Sequence, residues 1–187
     1  MNTRVVLGVS GASGAALALD CARLLARMAI AVDLVLTRMG CHTCALELGA
    51  DATAELKMLA ARIHDGADMA ATIASGSCPV AGMIVAPCSM RSLAAIASGL
   101  DDTLLTRAAG VQLKERRPLV LLAREAPLTL AHLRNMTAVT EMSGIILPPV
   151  PAFYLKPDNM QAMTAQIAAR AVDLLRLTVA QADAWPG

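Results

Sequence analysis

Aromatic side chains are nearly absent from this 187-residue chain, which has one Trp, one Tyr and one Phe. That scarcity removes base stacking as a binding strategy, and a formal charge of +1 leaves no electrostatic footprint for a phosphate backbone, so nucleic acid is not an expected partner. Charge is also thin, at 17% of residues against 56% hydrophobic, which excludes disorder and predicts a compact protein. Its core has to be filled by Ala, Leu, Val, Ile and eleven Met. The length suits one domain, 1–187, with a tail from about residue 178. Such an apolar surplus points to buried subunit interfaces, and an oligomer is expected.

Other absences narrow the function. The amino-terminal segment has neither the apolar stretch nor the small-residue cleavage site of a signal peptide, so a cytoplasmic location is expected. Residues 69–90 carry no charge and are long enough to cross a bilayer. Ser75-Gly76-Ser77 and Pro79 break that run into a loop and the strand-like Met83-Ile84-Val85-Ala86, so no membrane partner is expected. The five cysteines are expected to stay reduced. Cys41-His42-Thr43-Cys44 has redox-pair spacing at a helix start. No second such pair completes a zinc site, and Cys21, Cys78 and Cys88 sit in apolar contexts, so packing thiols and no metal are expected.

What the chain does have begins with Gly8-Val9-Ser10-Gly11-Ala12-Ser13-Gly14, directly after the apolar Arg4-Val5-Val6-Leu7 and before an Ala/Leu-rich helical segment. A glycine turn between strand and helix exposes backbone N–H groups to an anion, and Ser10 and Ser13 add hydroxyls, so a phosphate is expected there. Close helix–strand packing is the alternative use of the same glycines. The turn has neither the dinucleotide fingerprint nor the Gly-Lys-Ser/Thr of a P-loop, so neither a dehydrogenase nor an NTPase follows from it.

Apolar runs recur at Val5–Val9, Ile30–Leu36, Met83–Ala86, Leu119–Ala123 and Ile145–Leu147. Helical segments are predicted at Ala15–Met28, Cys41–Leu48, Ser89–Ser98, Leu104–Glu115, Leu128–Glu141 and Pro157–Leu177. This alternation predicts an α/β fold, a doubly wound parallel sheet with helices on both faces. Asp101-Asp102 reads as a helix-starting turn, and Pro148-Pro149-Val150-Pro151 as a stiff segment that positions Phe153-Tyr154. Ligands of such sheets gather beyond the carboxyl ends of the strands. The residues falling there are Ser10–Gly14, Thr37-Arg38, Cys88-Ser89-Met90-Arg91-Ser92, Arg124-Glu125 and the proline turn with Tyr154, a set of hydroxyl and guanidinium groups suited to a phosphorylated ligand.

Six segments in order resemble the UbiX family of flavin prenyltransferases along nearly the whole chain. They are Ser10-Gly11-Ala12-Ser13-Gly14, Ser75-Gly76-Ser77, Ala86-Pro87-Cys88-Ser89, Leu105-Thr106-Arg107-Ala108-Ala109, Leu113-Lys114-Glu115-Arg116-Arg117-Pro118-Leu119-Val120 running on to Arg124-Glu125, and Pro148-Pro149-Val150-Pro151-Ala152-Phe153-Tyr154. The resemblance implies a flavodoxin-like (Rossmann-type) subunit, FMN held at a subunit interface, and a homododecamer. It implies transfer of a dimethylallyl group from dimethylallyl monophosphate to N5 and C6 of reduced FMN, giving prenylated FMN, the cofactor of UbiD-type decarboxylases. By position, Gly11, Ala12, Ser13, Thr37, Ser89, Met90, Arg91, Ser92 and Arg124 would hold FMN, with Thr37 where a Ser is usual. Arg107, Lys114, Arg124, Tyr154 and Arg170 would surround the allylic phosphate, and Ser13, Glu47, Lys114 and Glu125 would carry catalysis.

These residue types suit the chemistry. Breaking an allylic C–O bond leaves negative charge on the phosphate, which preplaced Lys and Arg stabilise without a metal. Loss of the C6 proton needs an acceptor, either a carboxylate such as Glu47 or the released phosphate. Trp185 matches a tryptophan that covers the site in the family, whereas Met69 stands about where some members have an aromatic residue. Two other readings are a prenylated-FMN carrier and a flavin-dependent cysteine decarboxylase. The latter group has a Pro-Ala-Ser-Ala-Asn-Thr segment where this chain reads Ala86-Pro87-Cys88-Ser89-Met90-Arg91, and His42, His64 and His132 lack the context of its catalytic histidine.

Overall fold

In the computed structural model, which describes residues 3–185, the apolar runs become neighbouring parallel strands. The strands are β1 (Arg4–Val9), β2 (Ala31–Leu36), β3 (Arg62–His64), β4 (Met83–Cys88), β5 (Leu119–Ala123) and β6 (Ile145–Ile146), in the spatial order β3-β2-β1-β4-β5-β6. All five pairings are parallel, with Val5 opposite Val32 and Ile84 opposite Val120. The direction of winding reverses between β1 and β4, which makes the crevice at their carboxyl ends the natural ligand position.

The helices are α1 (Ala15–Arg27), α2 (Arg38–Leu48), α3 (Ala52–Leu59), α4 (Met90–Ser98), α5 (Leu104–Lys114), α6 (Leu130–Glu141) and α7 (Met160–Asp173). Side chains alternate across the sheet. Val5, Leu7 and Val9 pack with Leu17, Leu25 and Val172 of α1 and α7 on one face, and Val6, Met83 and Val85 with Leu93, Leu105 and Val139 on the other. Small residues let α1 and α7 approach closely: Ala18, Ala22, Ala168 and Ala171 are all buried.

Helix starts follow local chemistry. Thr37, Ser89, Thr103, Thr129 and Asn159 each accept a backbone N–H of the helix they open, contacts worth about 1 kcal/mol apiece. Three expectations shift. α2 begins at Arg38 because Thr37 caps it, α7 ends at Asp173 rather than at Leu177, and Thr103, not Asp101-Asp102, opens α5. Two elements, β3 and α3, had no counterpart among the predicted segments.

A buried ionic cluster joins three strands. Asp33 of β2, 1% exposed, accepts from Arg4 Nε at 2.9 Å on one side and pairs with His64 Nε2 at 2.8 Å on the other. No helix among the described residues is long and apolar enough to cross a membrane.

Candidate active site

Backbone bonds tie the carboxyl ends of four strands into one edge. Thr37 N–H donates to Val9 O at 3.0 Å, Ser10 N–H to Pro87 O at 3.3 Å and Arg124 N–H to Cys88 O at 3.1 Å. Thr37, Ser10, Ser89 and Arg124 therefore stand in sequence along the switch-point crevice, as the turn positions predicted.

The glycine turn differs from expectation in its contents. Ser10 is buried, donates its hydroxyl to Pro87 O at 2.8 Å and accepts from Ser89 N–H at 2.7 Å, so it welds β1 to β4 and has no capacity left for a ligand phosphate. Gly14 adopts φ 114, a left-handed value that a side chain would strain, and it aims its own N–H and that of Ala15 outward. The anion that receives them is the chain's own Glu47 on α2, at 2.9 and 2.8 Å. Burial raises the pKa of the Glu47 carboxyl, but the Ser13 hydroxyl, the N–H groups of Ala15 and Gly14 and the Arg124 charge outweigh it and hold the group below its ordinary value. Glu47 is an ionised carboxylate held by the backbone N–H groups of Gly14 and Ala15.

Two other helix starts face the same edge. Thr37 accepts from Gly40 N–H at 2.9 Å and Ser89 from Ser92 N–H at 3.3 Å, which leaves the N–H groups of Arg38 and Met39 on α2 and of Met90 and Arg91 on α4 without a partner among the described residues. With the exposed Arg124 beside them, these free donors make a seat that fits a phosphate group. Gly11 lies at van der Waals contact with Met39, so the turn and α2 close up against each other. Arg91 is ion-paired with Asp102, and Glu125 accepts from Ala126 N–H at 3.0 Å.

The remaining predicted residues are elsewhere. Arg107 and Lys114 line a cavity of about 510 Å³ along α5 with Arg116 and Glu141. Arg107 is paired with Asp101 at 2.9 Å, and Lys114 with Glu115. α5 starts beside the carboxyl edge, where Leu104 N–H meets Gly66 O, and its eleven residues carry Lys114 about 16 Å away, to the opposite edge where β5 begins. Tyr154 and Arg170 line a second cavity of about 410 Å³ with Leu147, Pro148 and Trp185, and share none of the lining of the first. Tyr154 and Trp185 meet edge to face, centroids 4.7 Å apart. Met69 is 43% exposed in the turn before Thr72–Ala74. A single chain thus keeps the predicted site residues in three separate groups: the carboxyl edge, the α5 cations and the Tyr154–Arg170 cavity.

The cysteines do not form a reactive pair. Burial raises Cys44 to about 11, with Cys41 and Glu47 adding to the shift, and burial raises Cys88 to about 12. None of the five is in a disulfide among the described residues, and no three His, Cys, Asp or Glu side chains there are grouped to hold a metal. Sequence reasoning missed the ion-pair partners Asp101 and Asp102, whose spacing of six residues before Arg107 and eleven after Arg91 carries no periodic signal.

Residues 1–176 match the Flavoprotein family model. A flavin prenyltransferase UbiX of Neisseria meningitidis is 44% identical over 187 residues, covering 100% of this chain and 98% of the relative. The crystal structure of AnUbiX (PadA1) in complex with FMN and dimethylallyl pyrophosphate superposes with a TM-score of 0.95 at 41% identity, over 100% of this chain and 99% of that one. A dodecameric FMN-dependent UbiX-like decarboxylase from Escherichia coli O157:H7 gives 0.94 at 40% identity, over 99% and 100%. Identity at this level along the full length, on the same fold, places the chain in the flavoprotein family, among the UbiX flavin prenyltransferases.

Proposed function

We propose that this chain transfers a dimethylallyl group from dimethylallyl monophosphate to N5 and C6 of reduced FMN, in an assembly where each site is completed by a second copy. The observation that carries the reading is the carboxyl edge. Two helix starts with free N–H groups, the Arg124 guanidinium and an ionised Glu47 converge there, a seat for a phosphorylated flavin with a proton acceptor beside it.

The reduced flavin supplies the nucleophilic positions; the remaining roles belong to side chains. Thr37, Ser89, Met90, Arg91 and Ser92 with Arg124 hold FMN. Lys114, Arg107, Arg124, Arg170 and the Tyr154 hydroxyl take up the negative charge that develops on the departing phosphate. The ring proton lost at C6 goes to Glu47, which its environment keeps ionised and which Ser13 orients. Glu125, adjacent to Arg124, stands as a second carboxylate at the same edge.

Because Lys114 and Arg107 lie on a different side of the subunit from the flavin edge, they serve the edge of a neighbouring copy. Exposed apolar side chains supply the surfaces for that assembly: Met39 and Leu46 on α2, and Leu128, Leu130 and Leu133 at the start of α6. A homododecamer like that of the E. coli O157:H7 relative is the expected form. The product would be handed to a UbiD-type decarboxylase in the cytoplasm.

Subunit mixing tests this reading. Lys114→Ala and Glu47→Gln, each strongly impaired alone, are expected to recover transfer when co-assembled, because one interface in the mixture then carries both intact residues. Mixtures as impaired as either parent, from a wild-type protein that is active, would place the two residues in the same copy's site and contradict it.

A further inference from the structure

The end of α5 carries four consecutive charged residues, Lys114-Glu115-Arg116-Arg117, of which prenyl transfer as described uses only Lys114. The helix closes through a left-handed reversal. Arg116 has φ 58, its N–H reaches Leu113 O at 3.2 Å, and Arg117 N–H reaches Gln112 O at 2.9 Å. This reversal turns Arg117 back toward the segment 74–78. One guanidinium nitrogen donates to Gly76 O at 2.7 Å and the other to Cys78 O at 2.9 Å. Arg107, two turns earlier on α5, donates to Ala74 O at 3.0 Å. Two arginines of one helix and its end thus hold three carbonyls of a five-residue loop.

Lys114 lies against that loop. A methyl group at Gly76 would fall 2.5 Å from Lys114 Nζ and would also overlap the Glu115 carboxylate paired with it. The bare backbone of Gly76 is therefore packed directly on the ammonium–carboxylate pair. The side chain of Lys114 is 49% exposed, on a flexible four-carbon stem, and its direction is set by Glu115 beneath and the loop above. Ser75 and Ser77, whose hydroxyls are 2.9 Å apart, stand exposed beside it.

We propose that Arg117 is a positioning residue for Lys114: by gripping the carbonyls of Gly76 and Cys78 it fixes the 74–78 loop on the Lys114–Glu115 pair and aims the ammonium at the phosphate of the prenyl donor. The proposal rests on the prenyl-transfer reading. Arg117 itself does not touch the donor. Its removal lets the loop and the ammonium wander, a loss of orientation felt by the donor and not by the flavin.

The test is prenyl transfer by Arg117→Ala, Arg117→Lys and Gly76→Ala in the full-length assembly, with the KM for dimethylallyl monophosphate and the dissociation constant for FMN measured separately. Arg117→Ala is expected to raise that KM about tenfold or more while FMN affinity stays within about twofold. Arg117→Lys is expected to recover part of the loss, since an ammonium reaches one carbonyl where the guanidinium fork reaches two. Gly76→Ala is expected to reproduce the defect with Arg117 intact, and it decides the matter if Arg117→Ala fails to fold. An unchanged KM in Arg117→Ala, or FMN affinity falling in step with it, overturns the positioning role while the prenyl-transfer reading stands. A wild-type protein that transfers nothing overturns both.

Discussion

The Glu47 carboxylate accepts the backbone N–H of Ala15 at 2.8 Å, so the first turn of α1 is closed by a side chain from α2. The Gly14 N–H donates to the same carboxylate oxygen at 2.9 Å, and these donors, with the Ser13 hydroxyl and the Arg124 charge, hold the carboxyl below its ordinary pKa. Replacement by Gln keeps the shape and removes the charge. Glu47→Gln should cost about 0.5–1 kcal/mol at pH 7, the usual worth of an anion at a partly exposed helix start. The folded-state pKa is lowered, so this stabilisation is complete above the unfolded value of about 4.3 and is lost as pH falls through the lower folded value. Urea midpoints of the two proteins should differ at pH 7 and converge in stronger acid; a difference that persists there would show that charge is not the cause.

Lys114→Ala should slow prenyl transfer by about 100-fold or more, the scale on which removing a preplaced charge-stabilising donor acts. FMN should still co-purify, because Lys114 lies on α5, away from the flavin edge of its own subunit. Transfer kinetics and the absorbance of the bound flavin check the two halves of this expectation, and loss of both together would count against the division of labour.

Asp33 is the acceptor for both Arg4 and His64 in the sheet interior. Asp33→Asn leaves the Arg4 guanidinium without its counter-charge and should lower stability by about 3 kcal/mol, in the range for breaking a buried ion pair. Chemical denaturation measures it. A loss below about 0.5 kcal/mol, the level of an ordinary surface change, would mean that water replaces the carboxylate.

Arg116 holds a left-handed conformation at the end of α5. Arg116→Gly removes a strain of about 1–2 kcal/mol while adding freedom to the unfolded chain, so a net gain of about 0.5 kcal/mol is expected. The thermal midpoint should rise slightly. A fall would show that the Arg116 side chain makes a stabilising contact of its own.

The parallel sheet is legible in the sequence because β1, β4 and β5 are continuous apolar runs buried on both faces, Val5–Val9 being the clearest. β3 is not, because three residues with Arg62 and His64 flanking one Ile make no pattern; its strand character comes from pairing with β2. Glycine and hydroxyl positions do gather at the carboxyl edge of the sheet, but the sequence does not show what Ser10 does there. Its partners, Pro87 and Ser89, are nearly eighty residues away, and only the pairing of β1 with β4 brings them together. The same holds for Glu47, whose bonds to Gly14 and Ala15 span α1 and β2. Sequence order also conceals that Lys114 and Arg170 line separate cavities, since that separation is a property of the folded subunit.

The central claim is the reaction itself, and the most direct measurement is the mass of the flavin. The protein, reduced FMN and dimethylallyl monophosphate are incubated without oxygen, and the extracted flavin is weighed by mass spectrometry. A gain of one C5H8 unit with release of inorganic phosphate is predicted. Recovery of unmodified FMN from a folded, flavin-loaded protein would contradict the account and leave a flavin carrier in its place.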